Sequence, residues 1–236
     1  MSYNIVMKTM IKKYPNTKFI AHRGLPSKVL ENTLEGFKKA AKLPFFGIET
    51  DIHLTLDQVA IIHHDDNLIR LANIDLNINE TSYEVISTLK LKDTYKIPLL
   101  DAYIDICKTY HKEAIIELKP KFSLDQIKFI IEKIEAHDYL DHVIFISFHR
   151  ENLVQLKSIL KICNIQILTD TFDEDIFNFL IKHRFDLSIH HSQVTKDLIN
   201  LLHKNDIKIS TWTVNDKVLM ESLAKLGIDY ITTDGI

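Results

Sequence analysis

The chain of 236 residues carries 29 Lys and Arg against 32 Asp and Glu, a formal charge of −3, and is 46% hydrophobic. Those proportions describe a globular protein able to bury roughly 70–75% of the surface its unfolded chain exposes. They exclude a polyelectrolyte, and no basic run supplies the concentrated charge that nucleic-acid binding by counterion release requires.

Short β-branched and aromatic runs alternate with amphipathic stretches from end to end, the pattern of parallel strands joined by helical crossovers. A strand over Lys18–His22 comes first. A helix then runs from Asn32-Thr-Leu-Glu35 to about Lys42, with Asn32 as N-cap and Glu35 in the positive first turn. Strands at Gly47–His53 and Val59–His63 stand too close for a crossover helix, so the second is expected to fold back antiparallel as an appendage. Asp66–Ile97 breaks the repeat. It is polar, carries a Thr81-Ser-Tyr-Glu84 capping pattern, and reads as a small inserted lid. A helix opening at Pro98 runs to Tyr110. Strands at Glu113–Lys119, His142–Ser147, Gln166–Thr169, Asp186–His190, Lys208–Val214 and Asp229–Thr232 follow. Helices near Leu124–His137, Arg150–Leu160, Glu174–His183, Thr195–Lys204 and Asp216–Leu226 alternate with them.

Setting the appendage aside leaves eight parallel strands, which predicts an α/β fold closed as a (β/α)8 TIM barrel, with a doubly wound open sheet as the alternative. No linker or long repeat marks a boundary, so a single domain over residues 1–236 is expected, with the insertion at about 66–97. The chain stops at Ile236 directly after the last strand, leaving the final helix missing. Met1–Tyr14, or a partner subunit in a homo-oligomer, is expected to cover that gap.

Gly24, Gly36, Gly47, Gly227 and Gly235 are too dispersed for a Walker A loop or a GxGxxG turn. Cys107 and Cys163 show no CxxC spacing and read as reduced core residues. No apolar run is long enough to cross a membrane, so a soluble cytoplasmic protein is expected.

Strand C-terminal ends face the site of such a barrel, so polar residues there need explanation. The first strand ends in His22-Arg23-Gly24, an imidazole, a fixed cation and a residue permitting close approach. In the second, Glu49, Asp51 and His53 share one face by strand alternation. Glu117 and Lys119 share a face of the next main strand, which Pro120 stops. Uncompensated buried carboxylates are costly, so convergence of Glu49, Asp51 and Glu117 calls for a cation. An all-oxygen set suits Mg²⁺ or Ca²⁺ better than Zn²⁺. His64, in His63-His64-Asp65, would join His22 as an acid–base pair. Arg23 and Lys119 beside a cation make sense with an anionic substrate, and phosphate is the inference.

Structural alternatives stand beside several residues. Glu31 either orients Arg23 or faces solvent, His53 and His63 either belong to the site or hydrogen-bond within it, and His190 and His191 either line the rim or cap a helix. Trp212 is either core filler or an apolar wall for substrate.

His22-Arg-Gly24, Glu31-Asn-Thr33, Glu49-x-Asp51, His64-Asp65, Glu117-x-Lys119, Trp212-Thr-Val-Asn215 and Thr232-Thr-Asp234, in that order, resemble the glycerophosphodiester phosphodiesterases. The resemblance implies a TIM barrel with an insertion after His-Asp and a divalent ion held by Glu49, Asp51 and Glu117. It gives acid–base roles to His22 and His64, phosphate binding to Arg23 and Lys119, and places Trp212 near the glycerol end. The implied substrate is a small-molecule glycerophosphodiester, yielding glycerol 3-phosphate and an alcohol. The chain departs from the pattern at Leu25-Pro-Ser-Lys-Val-Leu30, Gln58 and Asp66. A lysophospholipase D-like enzyme with a hydrophobic entry and a noncatalytic barrel binding phosphorylated metabolites are the rival readings.

Overall fold

The computed structural model describes residues 3–160 and 164–235. Its strands are β1 (Lys18–Ala21), β2 (Gly47–Leu54), β3 (Ala60–Ile62), β4 (Glu113–Leu118), β5 (Val143–Ser147), β6 (Asn164–Thr169), β7 (Asp186–His190), β8 (Ile209–Trp212) and β9 (Tyr230–Thr233). Hydrogen bonds run through β1, β9, β8, β7, β6, β5, β4 and β2, and a parallel β1–β2 pairing closes the ring. β3 hangs on β2 antiparallel, with Ile52 opposite Ile62 and Leu54 opposite Ala60. The eight parallel strands therefore form the expected barrel, and closure removes the edges an open sheet would expose.

Strand alternation divides the core. Ile20, Ile115, Ile144, Ile146, Leu168 and Tyr230 cluster inside the ring. The alternate positions, such as Phe19, Ile48, Ile116 and Phe145, join the larger core beneath the helices. Every residue of β2 is buried, as a strand covered on both faces requires. Gly47 is needed where β2 passes β4, because a Cβ there would lie 2.4 Å from Ile115 Cδ1 and 2.6 Å from the Glu113 carbonyl oxygen.

The helices are α1 (Tyr3–Lys13), α2 (Leu34–Ala41), α3 (Ile69–Ala72), α4 (Tyr83–Thr88), α5 (Leu100–Tyr110), α6 (Leu124–Glu135), α7 (Arg150–Ile159), α8 (Glu174–His183), α9 (Lys196–His203) and α10 (Lys217–Leu226). Side chains of Ser123, Asp173, Thr195 and Asp216 cap α6, α8, α9 and α10, satisfying backbone N–H groups that lack intrahelical partners. α1 packs onto the barrel beside α10. Its Val6, Met7 and Met10 enter the main core, while Lys13 and Tyr14 reach Glu221 of α10.

Several expectations change. α2 is capped by Thr33, whose hydroxyl accepts from the Gly36 N–H, and not by Asn32. Asn32 instead takes a left-handed φ of 54°, which turns its amide inward. The Thr81–Glu84 capping box does not form: Ser82 precedes α4 without a side-chain cap bond, and Thr81 bonds the Asn77 carbonyl. The insertion is not a polar lid, because Leu68, Leu71, Ile78, Ile86, Leu91 and Ile97 give it an apolar core of its own. β8 stops at Trp212, short of the expected Val214. Cys107 is buried with a free thiol, and Cys163 lies outside the described residues. Among the described residues no helix is long and apolar enough to cross a membrane.

Candidate active site

The C-terminal ends of the strands enclose a cavity of about 270 Å³ lined on one side by His22, Arg23, Glu49, His64, Glu117 and Lys119. Ile146, Phe148, Leu168 and Trp212 form much of the other side. The insertion contributes no lining residue. A larger hollow, about 460 Å³, lies at the opposite end of the barrel around Arg184, Asp186 and Asp206. Its lining gathers no carboxylate cluster with imidazoles, so the smaller cavity is the candidate site.

Glu49, Asp51 and Glu117 converge as the alternation predicts. One carboxylate oxygen from each lies within 4.8 Å of the others, and all three residues are buried. β2 and β4 are paired with Asp51 opposite Glu117, so register alone brings two of the three side by side. Burial and the charge of Asp51 push the Glu49 carboxyl well above its ordinary range. The same two causes move Glu117 up to about 8, against the pull of Lys119. Burial would also raise Asp51, but Arg23, Lys119 and His64 hold it down, at about 2. Asp51 Oδ1 is buried without a hydrogen-bond partner. Crowded carboxylates that resist full ionisation, with an orphaned oxygen among them, are a donor set suited to a hard divalent cation.

The cations lock this group from two sides. Gly24 turns the chain at φ 88°, and a Cβ there would meet the Gly36 backbone at 2.9 Å. That turn lets the preceding Arg23 N–H donate to Glu49 Oε2 at 2.9 Å. Arg23 Nε is 3.3 Å from Asp51 Oδ2, and Nη1 donates to Glu31 Oε1 at 3.1 Å. Lys119 Nζ lies 3.0 Å from Glu117 Oε1 and 3.8 Å from Asp51 Oδ1. It also sits 3.1 Å from His64 Nε2.

Each imidazole is backed by a carboxylate. His22 Nδ1 is 2.6 Å from Asp234 Oδ1, leaving Nε2 3.9 Å from Glu49 Oε2. His64 Nδ1 is 2.6 Å from Asp65 Oδ1. Burial lowers the His64 imidazole below its ordinary value, although Asp51 opposes the shift. A carboxylate at Nδ1 fixes ring orientation and favours a proton there, with the lone pair at Nε2.

Trp212 is both a wall and a packed ring, edge-on to Phe148 and to His190 at centroid distances of 5.7 and 5.5 Å. His190 bonds Ser192 and caps the short turn that follows β7. His53 Nε2 lies 3.3 Å from the His64 carbonyl, so it supports the site from behind. Glu31 does orient Arg23.

Other supporting residues had no site role in the sequence reading, where Asn32 was expected to cap a helix. Asn32 Nδ2 donates to Asp51 Oδ2 at 2.8 Å, while its Oδ1 accepts from Thr50 Oγ1. Asn215 Nδ2 donates to Asp234 Oδ2 at 2.6 Å, and Arg70 binds both Asp65 and Glu31. The places of Asn32, Asn215 and Asp234 within the ordered motifs were the available signal. For Arg70 and Phe148 the sequence offered none.

The model of the glycerophosphoryl diester phosphodiesterase family matches residues 22–236. A glycerophosphodiester phosphodiesterase of Bacillus altitudinis is 28% identical over 232 residues, covering 92% of this chain and 94% of its own. The crystal structure of a glycerophosphodiester phosphodiesterase from Thermotoga maritima superposes with a TM-score of 0.75 at 27% identity, covering 92% of this chain and 94% of that one. A phosphodiesterase from Oleispira antarctica, solved in complex with the product sn-glycerol-3-phosphate, gives a TM-score of 0.86 at 24% identity, with 95% of each chain covered.

Proposed function

This chain belongs to the glycerophosphodiester phosphodiesterase family, and from that premise we propose that it hydrolyses glycerophosphodiesters to glycerol 3-phosphate and an alcohol. The observation that carries the reading is the convergence of Glu49, Asp51 and Glu117 beside a cavity that Glu49 and Glu117 line together with His22, His64, Arg23 and Lys119. A buried group of acids flanked by two carboxylate-backed imidazoles and two cations has the parts that phosphodiester hydrolysis requires. The product complex of the Oleispira antarctica protein supports the same chemistry for this fold.

In this proposal Glu49, Asp51 and Glu117 hold Mg²⁺ or Ca²⁺, which when bound supplies positive charge to the non-bridging phosphoryl oxygens. Arg23 and Lys119 face the same oxygens. Their ion pairs with Asp51 and Glu117 hold them in place before substrate arrives, so little reorganisation is needed as charge develops. One imidazole takes the proton of the attacking hydroxyl, either from water or from the substrate's own glycerol, the cyclic phosphate formed in the latter case being opened by water in a second displacement that gives glycerol 3-phosphate. The other delivers a proton to the departing alkoxide, and both act through Nε2 because Asp234 and Asp65 occupy Nδ1. Trp212 flanks the organic part of the substrate. The active unit comprises the barrel with its insertion, and a cytoplasmic location completes the proposal.

A second reading, cleavage of lysophospholipids, is favoured by the apolar wall of Ile146, Phe148, Leu168 and Trp212. A human lysophospholipase D is 32% identical over 90 residues, 34% of this chain.

The deciding experiment assays a panel of glycerophosphodiesters and lysophospholipids with and without divalent ions, following glycerol 3-phosphate release. Chelation should abolish turnover and Mg²⁺ or Ca²⁺ should restore it. Full activity in a metal-free sample would remove the cation from the proposal, and turnover confined to long-chain lysophospholipids would favour the second reading.

A further inference from the structure

Arg70 stands on α3, within the insertion, and lines no part of the cavity. Its guanidinium nevertheless grips both carboxylates that stand behind the site. Toward Asp65, Nε donates to Oδ2 at 2.6 Å and Nη2 to Oδ1 at 3.3 Å. Toward Glu31, Nη2 donates to Oε1 at 2.6 Å and Nη1 to Oε2 at 3.2 Å. Asp65 in turn holds His64 Nδ1 at 2.6 Å, and Glu31 accepts from Arg23 Nη1 at 3.1 Å. One planar fork therefore joins two pairs into a continuous line: His64, Asp65, Arg70, Glu31, Arg23.

We propose that Arg70 is a positioning residue that sets the His64 imidazole and the Arg23 guanidinium in fixed relation on the charged side of the cavity, and that the insertion serves the reaction by presenting it. This rests on the function proposed above. Only a guanidinium can do it, because two carboxylates are engaged at once by N–H groups fixed in one plane, whereas an ammonium offers a point charge. The backbone at this position is anchored independently. Leu71 is buried in the insertion's own core, and Lys92 Nζ donates to the Arg70 carbonyl at 3.2 Å. Removing the side chain therefore leaves α3 in place. The Arg70 side chain is 44% exposed, and exposed ion pairs contribute little to stability. A purely structural role would thus appear as a small change in melting temperature with the rate of the folded protein unaltered.

The test compares wild type, Arg70→Ala, Arg70→Lys, Asp65→Ala and the Arg70→Ala/Asp65→Ala double variant in glycerol 3-phosphate release, with melting temperature measured on each. Misplacement of a catalytic pair by a fraction of an ångström to 1 Å costs about 10- to 100-fold. Arg70→Ala should therefore lose at least about 10-fold in kcat, with a smaller rise in KM and a near-wild-type melting temperature. Arg70→Lys should recover little of the loss. In the double variant the rate should fall within about threefold of Asp65→Ala alone, because both changes break the same line. Should Arg70→Ala fail to fold, Arg70→Gln takes its place. Wild-type kcat and KM in Arg70→Ala, full recovery by Arg70→Lys, or multiplicative losses in the double variant would overturn the inference while leaving the proposed function standing. A wild-type protein inert on every glycerophosphodiester would remove that function, and this inference with it.

Discussion

Inward positions at or just beyond the ends of β1, β2 and β4 carry His22, Glu49, Asp51, Glu117 and Lys119, whereas those of β5, β6 and β8 carry Ile146, Phe148, Leu168 and Trp212. The backbone repeat is the same in both halves, so polarity has been assigned strand by strand. Charge is confined to neighbouring strands where each buried carboxylate has a cation or amide in reach: Arg23 and Asn32 for Asp51, Lys119 for Glu117. Spreading those groups around the ring would leave each one buried alone, which is far more costly. An apolar wall lowers the local dielectric beside the charged half and so strengthens charge interactions there. Under the proposed function, the first half performs the bond exchange and the second flanks the organic part of the substrate.

The contrast can be broken most severely from the charged half. His22→Ala or His64→Ala should each lower kcat by about 10² or more while leaving the melting temperature close to wild type. Steady-state kinetics checks this, and wild-type turnover in both variants would remove the two imidazoles from the reaction. The apolar half should respond differently. Phe148→Ala, at a side chain 42% exposed in the wall, should raise KM for a bulky alcohol severalfold and leave kcat within about twofold. Loss of kcat instead would mean that the wall is part of the chemistry.

The smallest effect concerns folding. His63 is buried beside the charged half, and burial holds its imidazole at about 4 against an ordinary value of 6.5. The unfolded chain takes up this proton near pH 6.5 and the folded protein only near pH 4. The stability contributed by the neutral ring is therefore complete above 6.5 and lost as pH falls toward 4. By linkage that amounts to about 2 kcal/mol between pH 7 and 5. Urea unfolding of wild type and His63→Leu at both pH values measures it, and an equal pH slope in the two proteins would rule out His63 as the source.

Much of the site was legible because strand alternation is strict: once Glu49 and Asp51 are two apart on a strand, they share a face whatever the rest of the chain does. Glu117 and Lys119 follow the same rule, and the barrel then brings the strands together. Loop residues obey no such period. Asn32 and Thr33 are both good caps, and spacing does not decide between them. The left-handed φ of Asn32 settles the matter by turning its amide toward Asp51. The insertion was misread for a similar reason. Its apolar residues are scattered among polar ones without a regular period, so its small core is visible only in three dimensions. Arg70 was hidden twice over, lying inside that segment and acting through residues distant in sequence.

β1 is held between β2 and β9, and His22, which follows β1, is held by Asp234, which follows β9. A nascent chain can therefore build the early strands and most of the helices while the ring stays open. His22 gains its carboxylate only after residue 234 has cleared the ribosome. A chain stopping before Tyr230 would lack the strand that closes the ring, and one stopping at Thr233 would keep that strand but lack the carboxylate at His22 Nδ1.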